Sequence, residues 1–292
     1  MRHAIRAAAV AGRWYPATAD ALRSAVERHL AVADASASPP AVGDASIIAI
    51  IAPHAGLLYS GPVAAHAYRL LRERQLDLVV LVGPSHFVPF DGVAVYPRGG
   101  FATPLGVAEI DDACAAQLMA ETEIVREWPE PHAREHSLEM QLPFVRYLAP
   151  AARIVPLLMG TQTAATARAL ATALHSVLKA RIDDGRVVVV ASSDLSHYHD
   201  AVTAARLDGV VVERVSALDA DGLQHELDRR PDHACGGGPM VAVMRAARAL
   251  GATRASILRY ADSGDVSGDK TRVVGYLAAA FNGGAQAPGD AH

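Results

Sequence analysis

Three histidines stand where three apolar runs end. His54 lies in Ala52-Pro53-His54-Ala55-Gly56 after the run Ser46 to Ala52, and His86 lies in Gly83-Pro84-Ser85-His86 after Asp77 to Gly83. His197 lies in Ser192-Ser193-Asp194-Leu195-Ser196-His197 after Arg186 to Ala191. One such histidine is more often a satisfied core or surface residue, but repetition at three run ends is hard to assign to packing alone. Imidazole serves as a metal ligand and as an acid/base near neutral pH. Cys235, in Ala234-Cys235-Gly236-Gly237-Gly238-Pro239, precedes an expected helix whose first amides would favour a thiolate. Imidazole and thiolate together suit iron, copper or zinc, whereas magnesium and calcium prefer oxygen. A transition-metal site drawn from these residues is the expectation. Asp194, three residues before His197, is placed to hold that imidazole in one tautomer, the alternative being a helix N-cap. His199, His132 and His136 are weaker candidates. Glu135 and Glu139 are expected to cap and solvate a helix start, the alternative for Glu135 being the pocket. His3, His29, His66, His175, His225, His233 and His292 read as solvated or structural.

Such residues need elements to bring them together. Ser46 to Ala52, Asp77 to Gly83, Arg153 to Met159 and Arg186 to Ala191 are continuously apolar, as strands covered on both faces are. Helical spacing of apolar residues between them predicts helices from about Thr18, over Pro62 to Arg74, over Thr163 to Arg181 and over Pro239 to Leu250. Gly92 to Pro97 and Arg272 to Phe281 are further strand candidates, Asp34 to Asp44 a surface loop, and 282–292 a loose tail. The alternation predicts an α/β fold, a single domain over 1–292 with its core at about 10–281 and a central, mostly parallel sheet flanked by helices. In such sheets ligands bind beyond the carboxyl ends of the strands. His54, His86 and His197, 32 and 111 residues apart along the chain, therefore converge on one pocket.

Composition narrows the function further. At 292 residues and 51% hydrophobic, the chain buries a sizeable core and is not disordered. A formal net charge of -4 without a basic run gives no electrostatic footprint for nucleic acid. No apolar run approaches the roughly 20 residues that span a bilayer, and Ala7 to Ala11 is too short for a signal peptide. Two cysteines, Cys114 and Cys235, make no disulfide framework, so a reducing cytoplasm is expected. Gly83-Pro84-Ser85-His86-Phe87 is not a nucleophile elbow. Gly264 to Thr271 is a turn and not a phosphate loop, and the dinucleotide fingerprint is absent.

Ordered motifs carry a specific resemblance. Ala11-Gly12-Arg13-Trp14-Tyr15-Pro16, Ala52-Pro53-His54-Ala55-Gly56 with Tyr59-Ser60-Gly61, Gly83-Pro84-Ser85-His86 and Thr103-Pro104-Leu105-Gly106 come first. Glu135-His136-Ser137-Leu138-Glu139-Met140-Gln141-Leu142-Pro143 and Ser192-Ser193-Asp194-Leu195-Ser196-His197-Tyr198 follow, then Cys235-Gly236 with Pro239, and Ser263-Gly264-Asp265-Val266 with Val273-Val274-Gly275-Tyr276. Over roughly 10–281 the chain resembles the Memo family, whose prokaryotic members are called AmmeMemoRadiSam system protein B. The resemblance implies the fold of class III extradiol ring-cleaving dioxygenases, which hold non-haem Fe(II) with two histidines and one carboxylate. By motif, His54 and His86 take the histidine positions, Cys235 the carboxylate position, and His197 the place of the pocket acid/base. A thiolate there makes the site softer and more tolerant of copper. Leu57 stands where the family commonly has Tyr.

The resemblance implies a non-haem iron or copper ion and redox chemistry, and, from eukaryotic members, peptide recognition. The first expectation is a metal-dependent oxidoreductase in which His54, His86 and Cys235 bind the ion and His197, oriented by Asp194, moves protons. The second is a protein that binds a metal, small molecule or peptide in the same crevice without turnover. The third is a cysteine hydrolase, with Cys235 as nucleophile and the Gly236 to Gly238 amides as oxyanion donors.

Overall fold

The computed structural model describes residues 5–36, 47–182 and 184–283. Its strands are β1 (Ile5–Arg6), β2 (Ile47–Ala52), β3 (Leu78–Pro84), β4 (Val93–Val95), β5 (Gly100–Thr103), β6 (Gly106–Glu109), β7 (Val125–Glu127), β8 (Arg153–Met159), β9 (Val187–Ser192), β10 (Asp194–His199), β11 (Ala252–Asp262) and β12 (Val273–Gly283). Its helices are α1 (Ala19–Ser36), α2 (Leu57–Tyr68), α3 (Asp112–Glu121), α4 (Leu142–Leu148), α5 (Ala164–Leu178), α6 (Ala201–Ser216), α7 (Ala220–Arg229), α8 (Gly237–Ala249) and α9 (Gly264–Ser267).

The fold is α/β, with one large mixed sheet between two layers of helices. Its centre runs β2-β9-β3-β8, and all three of those pairings are parallel. Side chains alternate between faces as a pleated strand requires. Val80 and Val82 of β3 with Val187 and Val189 of β9 pack with α5 and α8, while Val79, Leu81, Val188 and Val190 pack with α1, α2 and α4. Burial on both sides explains why these runs are aliphatic without interruption.

Outside that centre the sheet is mixed, and β7 pairs parallel with β4. β4 pairs antiparallel to β8, and β12 pairs antiparallel with β2 at one end, β10 at the other and β11 along its length. Of these pairs only β11 and β12 are consecutive along the chain, joined through residues 263–272 by the kind of short connection that antiparallel neighbours permit. β11 escapes a reading by apolar runs because most of its residues are half-buried or exposed.

Two local boundaries also differ. α2 begins at Leu57, not at Pro62, which sits inside the helix. The first amides of α2 therefore lie directly beside His54-Ala55-Gly56. At the other end, Asn282 and Gly283 belong to β12; the rest of the expected tail and most of the loop from Asp34 lie outside the described residues. A separate three-stranded sheet, β1-β5-β6, fixes the start of the described chain. Among the described residues no helix is long and apolar enough to cross a membrane.

Candidate metal centre

The pocket forms at the carboxyl ends of three adjacent strands. β9 lies between β2 and β3, so the segments after β2 and β3 sit two strand spacings, roughly 10 Å, apart. Imidazole side chains bridge such a gap. Buried His54 follows β2, half-exposed His86 follows β3, and His136 enters from the segment between β7 and α4. One ligand atom from each of the three lies within 4.8 Å of the others. The His86 and His136 rings stack at 4.7 Å, and His54 meets them edge-on at 5.2 and 5.5 Å.

Hydrogen bonds set the tautomers. Ser192 Oγ donates its only proton to the Ser137 carbonyl at 2.7 Å and accepts from Gln141 Nε2 at 2.7 Å. The 2.9 Å contact between His54 Nδ1 and Ser192 Oγ is therefore a donation by the ring. That leaves the His54 Nε2 lone pair aimed at the cluster. His86 Nδ1 lies 2.9 Å from Glu135 Oε1, and its backbone N–H donates to Glu135 Oε2 at 2.6 Å. Burial alone would raise the Glu135 carboxyl. The hydrogen bonds from the His86 ring and amide outweigh that and hold it at about 2. An ionised Glu135 only accepts, so His86 Nδ1 donates and its Nε2 is free as well. A carboxylate behind a ligating imidazole is the arrangement that orients metal-binding histidines.

The same pocket keeps His54 and His136 neutral. Burial is the main cause, pulling His54 far below its ordinary value and bringing His136 to about 4. Neutral imidazole is the ligating form, so no proton must first be removed at pH 7. The polarity of its segment hides the rank of His136, and the expectation of solvated caps fails for Glu135 and Glu139, Glu135 taking its alternative place at the pocket. Both carboxylates are buried. Glu139 accepts from Arg6 Nη1 at 2.6 Å, Tyr15 Oη at 2.7 Å and the amides of Ala9 and Val10. The partner of Glu139 is 133 residues away, so local polarity gave no hint of it. The spacing Glu135-His136 next to a second carboxylate was the available signal.

Cys235 Sγ lies 3.2 Å from His54 Nε2, at the edge of the cluster. The expected thiolate is not the form favoured without a metal: burial, then the Asp194 charge, push the thiol well above its usual range. The amides at the start of α8 do not offset this because they are already used. Gly236 N–H donates to Ser193 Oγ, Gly237 N–H to the Ala234 carbonyl, and Gly238 N–H to Gln162 Oε1. The cysteine-hydrolase expectation loses its oxyanion donors. Gly236 itself has no room for a side chain, since a Cβ there would lie 2.4 Å from the Ser192 carbonyl oxygen.

Asp194 is not an orienting partner of the His197 ring, nor a helix cap. Its carboxylate accepts from the backbone N–H of His54 at 2.7 Å and of Ala55 at 3.3 Å, fixing the loop after β2. Burial raises this carboxyl to about 7, with those two N–H bonds opposing. His197 is on β10, not on a loop, between two irregularities in its pairing with β12, and Tyr198 beside it adopts a left-handed φ of 63°. Burial depresses the His197 imidazole, and the charge of His86 depresses it further. His132 is buried with Nε2 on the Ala94 carbonyl, a packing role.

The donor set fits a borderline or soft metal ion: neutral imidazoles with fixed Nδ1 protons, and a sulfur within hydrogen-bond distance of one of them. Comparison with known proteins identifies the family. The family model described as Memo-like protein matches residues 6–280. A MEMO1 family protein of Methanopyrus kandleri is 39% identical over 285 residues, covering 96% of this chain and 99% of its own. A MEMO1 family protein of Ignicoccus hospitalis is 40% identical over 284 residues, covering 95% and 98%. One from Sulfurisphaera tokodaii is 36% identical over 283 residues, covering 95% and 99%. The motifs that build the pocket all lie inside these matches, and the chain belongs to the Memo family.

Proposed function

We propose that this protein binds an iron or copper ion in the pocket of His54, His86, His136 and Cys235 and acts as a non-haem oxidoreductase on a small molecule. The carrying observation is the convergence of the three imidazole ligand atoms within 4.8 Å of one another. Support comes from the serine and carboxylate that hold two of the rings by their Nδ1 protons. When bound, such an ion supplies Lewis acidity and one-electron chemistry.

The chain supplies the rest. Glu135 fixes His86 and brings a negative charge next to the imidazoles. Asp194 locks the backbone of His54 and Ala55 and thereby the direction of the His54 ring. His197, neutral through burial, is the proton acceptor of the pocket, able to take a proton from a substrate hydroxyl. Cys235 contributes sulfur once its proton is displaced. That displacement makes metal uptake release a proton.

The test is anaerobic purification followed by elemental analysis and oxygen-uptake assays. Wild type is expected to carry near-stoichiometric iron or copper, and His54→Ala, His86→Ala, His136→Ala and Cys235→Ala to lose most of it. The same sub-stoichiometric content in all five proteins sinks the site. Metal content without oxygen uptake under any reductant removes the oxidoreductase reading and leaves a binding protein.

A further inference from the structure

The His197 imidazole is close enough to those of His54 and His86 for their charges to act on one another. Asp194 does not hold that ring, because its carboxylate is committed to the backbone of His54 and Ala55. The aim of the ring is set by the backbone of β10. Against β12, Asp194 pairs with Tyr276 and His197 with Val274, so three steps along β10 meet two along its neighbour. A bulge of this kind leaves a backbone group without a ladder partner and re-aims the side chains beside it.

The missing partner comes from a helix. Asp208, in the middle of α6, accepts from the Ser196 N–H at 2.9 Å through Oδ1 and from Tyr260 Oη at 2.8 Å through Oδ2. It is fully buried, and no cation pairs with it among the described residues. β12 leaves it room, since a Cβ at Gly275 would overlap Asp208 Oδ2. Burying a carboxylate without a cation is costly, and burial raises this carboxyl while the Ser196 and Tyr260 hydrogen bonds oppose. Packing alone does not account for such a group; the amide it satisfies does.

That amide belongs to the peptide between Leu195 and Ser196, and the carbonyl of the same peptide is the one to which the His197 ring bonds. A carbonyl only accepts, so the ring nitrogen facing it carries the proton and the other is left bare. We infer that Asp208 is the positioning residue of His197, acting through this peptide: it holds the N–H end and thereby the carbonyl that orients the imidazole and fixes its tautomer. A negative group at one end of a peptide also strengthens the carbonyl at the other as an acceptor. The bare nitrogen is then the one offered to a substrate proton. In its functional meaning the inference rests on the proton-acceptor reading of His197; the positioning itself needs neither metal nor substrate.

The test is NMR of the ring nitrogens in full-length, chelator-treated protein carrying isotope-labelled histidine, with His197→Gln to assign the His197 signals. Wild type is expected to show one neutral His197 tautomer. Asp208→Ala leaves the Ser196 amide without its acceptor and is expected to show both tautomers in comparable amounts. Its His197 should also titrate lower than in wild type, because the bond to the Leu195 carbonyl is what works to raise that imidazole. Asp208→Asn keeps an acceptor for the amide and is expected to restore the single tautomer. If Asp208→Ala does not fold, hydrogen exchange on the unaltered protein serves: the Ser196 amide is expected to exchange on the order of a hundredfold more slowly than in an unfolded chain. Wild-type His197 signals in Asp208→Ala, even with a lowered melting temperature, overturn the inference. So do a failure of Asp208→Asn to restore the single tautomer and an unprotected Ser196 amide. Oxygen uptake separates the two readings: undiminished uptake by His197→Gln removes the proton-acceptor reading and leaves the Asp208 assignment standing.

Discussion

At the scale of single residues, the pocket is governed by Glu135. Its two oxygens collect the His86 ring and amide and the amides of His136 and Ser137, all within 2.9 Å. Glu135→Gln preserves the shape but removes the charge and offers His86 Nδ1 one acceptor in place of an ionised pair. Loss of such a partner typically costs 10–100-fold in metal affinity. That loss is expected here, read by competition against a chelator of known affinity. The same titration has a defined pH course. His136 is held at about 4 and His54 far below its ordinary value, so acid competes for these ligands only well below pH 6.5. The thiol proton that Cys235 releases on uptake makes wild-type affinity fall about tenfold per pH unit, with no added step near pH 6.5 from His54 or His136. An NMR titration of either of those two rings centred at pH 6.5 contradicts the burial that sets these values.

Elements act on the pocket through a few bridges. Gln162, just past β8, accepts from Gly238 N–H at 2.7 Å and donates to the Cys235 carbonyl at 2.7 Å. It thereby ties the start of α8 to the parallel centre of the sheet and holds Cys235 at the edge of the cluster. Gln162→Ala leaves one amide and one carbonyl without these partners at a half-buried place. The expected cost is about 1 kcal/mol in denaturant unfolding, near the lower end for unsatisfied groups. A roughly tenfold loss of metal affinity should accompany it, because sulfur position is what the bridge controls. Unchanged affinity with reduced stability would assign Gln162 to folding alone.

For the whole molecule, the first described strand is a strap across the site. Buried Arg6 pairs with buried Glu139 and donates to the carbonyls of His132 and Glu135, so the segment that carries His136 is held from 126 to 133 residues away. Breaking a buried ion pair from one side strands the other charge and costs about 3–5 kcal/mol. Arg6→Ala should accordingly lower the thermal midpoint on the order of 10 °C. Arg6→Met with Glu139→Gln, which removes both charges, should recover much of that loss. A midpoint unaffected by Arg6→Ala would mean that the strap carries no stability.

Much of this was legible in the chain itself. The four aliphatic runs announced β2, β3, β8 and β9, because strands buried on both faces admit nothing polar. His54 and His86 were readable at the carboxyl ends of β2 and β3, since a ligand crevice opens there in any such sheet. Family motifs joined Cys235 to them. The antiparallel sense of β4 and β12 was not legible because both are buried and apolar like the central strands, while half-exposed β11 carries no continuous apolar signal. Nor was the rank of His136, the fixing role of Asp194 on the His54 backbone, or the protonated state of Cys235. Each depends on which distant group fills the space beside it: Glu135 beside His86, Ser192 beside His54, Gln162 and Ser193 on the amides of α8. Sequence determines where strands end and which side chains stand there, because hydrophobic burial is written residue by residue. Charge, tautomer and ligand direction are decided only by tertiary structure, because they are set by desolvation and hydrogen-bond partners that the chain brings together from 43 to 140 residues apart.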